Sequence, residues 1–112
     1  MGTELDNLEF GRRKTVALAA IGQAYGTEAG EGGIDLFVAH HLEELSQAYW
    51  QEQLAIATPD AAAVIGLLVC RSSWGRDDLE NFDFTIPGDV TDYVVSVHFD
   101  VGGEIDGISM GS

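Results

Sequence analysis

From Tyr93 to Phe99 every second residue is large and apolar: Tyr93, Val95, Val97 and Phe99 alternate with Val94, Ser96 and His98. Successive side chains of a strand point to opposite faces, so this spacing predicts a strand with one face buried. Such a strand needs hydrogen-bonded neighbours and a second layer to cover its apolar side. The neighbours are readable nearby. Phe82-Asp83-Phe84-Thr85-Ile86 alternates in the same way, Pro87-Gly88-Asp89 turns the chain, and Asp100 to Gly103 supplies a hairpin loop before Glu104 to Met110 returns. Leu68 to Trp74 reads as a further strand whose alternate residues face the core. The C-terminal part is therefore predicted as an antiparallel meander over about 68–74, 82–86, 92–99 and 104–110.

The covering layer comes from the middle of the chain. Ile34, Phe37, Val38, His41, Leu45, Ala48, Tyr49 and Ile56 fall on one side of a 3.6-residue period, which predicts a helix over about 34–57. Asp35 stands in its first turn, where the helix dipole favours a negative charge. Trp50 and Leu54 lie four residues apart on the opposite face, as a second buried contact or a partner-binding patch. Thr58-Pro59-Asp60 signals a new helix start and predicts a short, buried helix over about 59–67. Gly26 to Gly33 has four glycines in eight residues and reads as a loop. It has neither the lysine nor the spacing of a phosphate-binding loop, and its glutamates would repel phosphate. Residues 4–21 read as an edge hairpin: Leu5, Leu8 and Phe10, a turn at Gly11-Arg12-Arg13, then Thr15-Val16-Ala17-Leu18. A helix through the alanine-rich Val16 to Ala24 is the competing assignment. The predicted fold class is α+β: an N-terminal hairpin, two helices and the meander, in two layers within a single domain spanning 1–112.

Charge limits what such a domain can touch. Nineteen acidic residues against five basic ones give −14, and no Lys or Arg occurs from Thr15 to Cys70 or from Asp77 to Ser112. A phosphate backbone needs a continuous basic footprint, and an anionic membrane surface needs basic clusters facing it, so neither nucleic acid nor membrane is an expected partner. The excess either serves solubility or steers a basic protein partner. Cys70 is the single cysteine, excluding an internal disulfide, and Met1 to Asp6 carries acid where a signal peptide carries base. The longest apolar run, Ala61 to Cys70, is half a membrane span. The expected location is the cytoplasm.

Several combinations invite a catalytic reading. Gly107-Ile108-Ser109-Met110-Gly111 has the letters of a nucleophile elbow, but no histidine or helix follows it. Ser96, His98 and Asp100 share one strand face, yet neighbours two apart along a strand stand roughly 6.6–7 Å apart, too far for a triad in line. His40 with Glu43 or Glu44 has helical chelate spacing; three such ligands make a poor metal site, and His41 points elsewhere, about 100° round the helix. Cys70 lies in an apolar stretch and reads as a packed thiol. Asp77, Asp78, Glu80 and Asp83 surround Trp74 and Arg76 as a solvated acidic loop.

The C-terminal signature resembles a known group. Residues 82–86, Thr91 to Asp100, Gly103-Glu104-Ile105 and Ile108 to Ser112, with His40-His41-Leu42-Glu43-Glu44-Leu45, are similar to an uncharacterised bacterial family carrying a domain-of-unknown-function label (DUF two-thousand-and-four). The resemblance spans roughly 34–112 and implies a small cytosolic protein, with no catalytic residue to carry over. Two places depart from it: Val101-Gly102-Gly103 where members tend to carry acids, and Met110-Gly111-Ser112 where they tend to carry Met-Glu-Ser.

The functional expectation is a non-enzymatic acidic domain acting through protein contact, by analogy of type an immunity partner, without cofactor or metal. Its candidate contact residues are Trp50, Leu54, Trp74, Asp77 and Asp78. The alternatives are a small hydrolase or metal-dependent enzyme using His40 or His98, and a homo-oligomer pairing an exposed sheet edge.

Overall fold

The structure, a computed structural model, describes residues 2–111, with side chains from Leu8 to Gly111 other than Asp77. It is α+β, with the helices first and the sheet after them. The expected N-terminal hairpin is absent. Gly2–Ala24 is one helix, α1. Phe10, Ala17, Ile21 and Ala24 recur at helical spacing and turn toward the core, where Ala17 and Ile21 are fully buried. Glu9 meets Arg12 and Arg13, three and four residues on, in the ion pairs that helix geometry allows and a turn at Gly11 would prevent. Gly26, in the left-handed region at φ +79°, ends the helical path, and its amide donates to Asp35 Oδ1 at 2.9 Å. Asp35 thus ties the glycine-rich loop to the next helix.

The predicted helix over 34–57 is broken in two: α2, Ile34–Glu44, and α3, Gln47–Leu54. Leu45 is extended, and Ser46 caps α3 by accepting from the Tyr49 amide at 3.2 Å. The break redirects the chain, so Trp50 joins the core although it lies off the main stripe of a continuous helix. A third element, α4, runs from Ala61 to Gly66. Asp60, the last residue of the Thr58-Pro59-Asp60 start signal, caps it by accepting from the Ala63 amide at 2.9 Å. Val64 is its fully buried residue, while Ala62 and Gly66 are exposed, so α4 is less enclosed than its composition suggests.

The meander matches the predicted one closely: β1 (Val69–Trp74), β2 (Asn81–Thr85), β3 (Val94–Phe99) and β4 (Ile105–Gly111) form one antiparallel sheet in chain order. Tyr93 is the exception. It precedes β3 and is exposed, with its ring against His40. Phe82, Phe84, Val95, Val97 and Phe99 face the helices and form one cluster with Ile21, Phe37, Trp50 and Val64. Both sheet edges are modified. A bulge at Arg71 interrupts β1, and the Met110 amide of β4 donates to Gly32 O at 3.3 Å. Among the described residues no helix is long and apolar enough to cross a membrane.

Gly75, just after β1, has φ +92° and ψ −156°, and a Cβ there would come 2.6 Å from the Glu80 Cβ. That backbone region is open essentially to glycine alone. Gly75→Ala is expected to lower stability by about 1–2 kcal/mol, read as a lower urea midpoint at unchanged slope; an unchanged midpoint would refute the strained turn.

Candidate functional site

With Phe82, Phe84, Val95, Val97 and Phe99 turned toward the helices, the alternate strand residues, Trp74 among them, make up the opposite, open face of the sheet. The register lines up two rows across it. Ser72, Asp83, Ser96 and Ser109 stand opposite one another, and Trp74, Asn81, His98 and Gly107 form the next row. Asp83 is the hub of the first row. Trp74 Nε1 donates to its Oδ2 at 3.0 Å, Ser72 Oγ donates to the same oxygen at 3.4 Å, and Ser96 Oγ donates to Oδ1. Trp74 is held by its indole N–H while 51 % of it is exposed. Beside it, a depression of about 430 Å³ is lined by Arg71, Ser72, Asp83, Asp92 and Val94.

The sequence-derived contact residues separate. Trp50 is 2 % exposed and so belongs to the core rather than to an outer surface, while Leu54 is half-buried and packs against that core. Trp74 is on the open face. Asp78 is exposed on the 3-10 turn Arg76–Asp78 at its end, in the left-handed region at φ +58°; the side chain of Asp77 lies outside the described residues. Asp83, on the predicted strand 82–86 and one of the acids around Trp74 and Arg76, is the residue that organises the face.

The catalytic combinations do not assemble. Ser96 gives its hydrogen to Asp83, and His98 Nδ1 lies 3.2 Å from Asp106 Oδ2, so serine and imidazole are each paired elsewhere. Ser109 lies within β4, not on a strand-to-helix turn. His40 stacks edge-on against Tyr93 at 4.9 Å. Among the described residues no three His, Cys, Asp or Glu side chains are grouped to hold a metal ion. Burial pushes the Cys70 thiol pKa up, away from a reactive thiolate.

Two polar constructions serve the fold. His41, buried within α2, sits between Phe37 O at 2.6 Å and Thr91 Oγ1 at 2.8 Å and pins the loop before β3. Arg13 reaches from α1 to donate to Leu79 O at 2.7 Å, with its guanidinium over the Phe99 ring. Hydrogen bonds from Arg12 and Arg13 lower the Glu9 pKa from 4.5 to about 2. The cleft of about 110 Å³ beside Arg13 and Arg76 is also lined by Glu80 and Asp100, so opposite charges balance within it.

No family model, no curated protein and no solved structure matches the chain.

Proposed function

We propose that this chain is a binding domain that acts by protein contact through the open face of its sheet, with Trp74 as the anchor and a basic protein as the partner. The observation that carries this reading is the half-exposed indole fixed in place by Asp83. Interface energy concentrates in a few aromatic and arginine side chains, and a side chain already held in one position loses less entropy on binding. The charge of −14 attracts a basic partner over distance. Kinship with the unknown-function family, and a cytoplasmic location, belong to the same reading.

Immobilised wild-type chain, Trp50→Phe and Trp74→Ala test it in parallel against a lysate at low and high salt. A protein retained by the first two, released by salt and bound at least about tenfold more weakly by Trp74→Ala is the expected result. Identical retention by wild type and Trp74→Ala would overturn the reading.

A further inference from the structure

We infer that the feature recognised on the open face is a lysine or arginine side chain of an extended partner segment, seated against Trp74 and Asp83. This rests on the protein-contact reading and adds the chemistry of the contact. A carboxylate offers about four acceptor positions. Ser72, Trp74 and Ser96 fill three of those on Asp83, two at Oδ2 and one at Oδ1. All three donors are neutral, so they orient the carboxylate without cancelling its charge. One acceptor position remains on Oδ1.

Arg71 is the basic side chain lining the neighbouring depression, against both Asp83 and Asp92, and none of the ion pairs among the described residues joins it to either. The depression therefore carries one positive charge against two negative ones. Next to it stands an indole whose N–H is donated to a carboxylate. Trp is the aromatic ring that binds cations best, and a cation over an exposed ring gains roughly 0.5–1 kcal/mol. Charge complementarity thus selects a cationic occupant over an acidic or a wholly apolar one. The surroundings favour an extended segment: Ser72, Ser96, Ser109 and Gly107 are small and stand in two adjacent cross-strand rows.

The probes are three pentapeptides with lysine, arginine or acetyl-lysine at alternate positions and alanine between. Each is titrated into the full chain, with amide ¹H–¹⁵N shifts followed throughout. In the Trp50→Phe background, fluorescence reports Trp74 alone. The lysine and arginine peptides are expected to give saturating changes largest at Ser72, Trp74, Asp83 and Ser96. Affinity should fall about fivefold in Trp74→Leu and further in Asp83→Asn, and the acetylated peptide should give no saturation. Trp74→Leu alters an exposed edge position, so it keeps the test valid even where Asp83→Asn perturbs the sheet. Equal binding of the acetylated peptide at these amides would overturn the cation and leave the protein-contact reading standing. Shifts spread over the acidic helix faces and insensitive to Trp74→Leu would overturn the site, as would no saturation with either cationic peptide.

Discussion

Trp50→Ala is expected to destabilise the fold by about 3–5 kcal/mol, while Trp74→Ala costs no more than about 1 kcal/mol. The two tryptophans are alike in chemistry and opposite in surroundings. Trp50 is 2 % exposed, packs edge-on against Tyr49 at 4.9 Å, and joins α3 to the cluster that covers the sheet. Removing its ring leaves a cavity that the short α3 cannot close without shifting. Trp74 stands on an edge strand and gives up one hydrogen bond to Asp83 when truncated. Trp50→Phe separates volume from polarity. Among the described residues Trp50 Nε1 is buried without a hydrogen-bond partner, so phenylalanine removes an unsatisfied donor as well as part of the ring. Its cost should stay below about 2 kcal/mol. Urea midpoints at constant slope measure all three. Equal losses for Trp50→Ala and Trp74→Ala would refute the assignment of one to the core and the other to the surface.

The meander was legible because its signal is local. Phe82, Phe84, Val95, Val97 and Phe99 are large, alternate strictly and all turn inward. The competing helix over Val16 to Ala24 is the assignment that holds, and it extends back to Gly2; its stripe was hard to read because half of it is alanine. Ala17 and Ala24 bury completely or nearly so yet carry little weight in a hydrophobic pattern, while Gly11, Thr15 and Val16 imitate a turn followed by a strand. The usable signal was Glu9 placed three and four residues before two arginines. The break after Glu44 was marked only by Ser46, a residue common at helix starts and unremarkable elsewhere. At the candidate site, Trp74 was visible as an aromatic beside acids. The part played by Asp83 was not, because Ser72 and Ser96 reach it only through the register of three strands, and the bulge at Arg71 shifts one of them. Cross-strand partners of this kind are a property of pairing, which composition and periodicity do not encode.

His41 makes one part of the fold's stability sensitive to acid. Desolvation lowers its pKa, only partly offset by the hydrogen bond to Phe37 O and reinforced by His40 beside it. The neutral ring donates from Nδ1 to Phe37 O and accepts at Nε2 from the Thr91 hydroxyl, whose oxygen also accepts from the Tyr93 amide at 3.2 Å. A second ring proton would require the Thr91 hydroxyl to reverse in a site that is 1 % exposed. With the folded pKa below the unfolded value near 6.5, the unfolded chain binds more protons as the pH falls through that value. Stability from this group is therefore complete above about pH 6.5 and declines below it, by at most about 1.4 kcal/mol per pH unit until the folded pKa is reached. An opposing trend comes from the net charge of −14, since acid relieves repulsion among the carboxylates. The contribution of His41 is therefore read as a difference. His41→Ala should cost on the order of 3 kcal/mol at pH 7.5, from the cavity and from unpairing Phe37 O and Thr91. The gap between it and the wild type should narrow as the pH is taken from 7.5 to 5.5. His41→Gln, which can present a donor and an acceptor without titrating, should show the same loss of acid sensitivity at a smaller cost. A gap that stays constant across this range would mean that His41 does not carry a depressed pKa, and that its bond to Thr91 holds equally well with the ring charged.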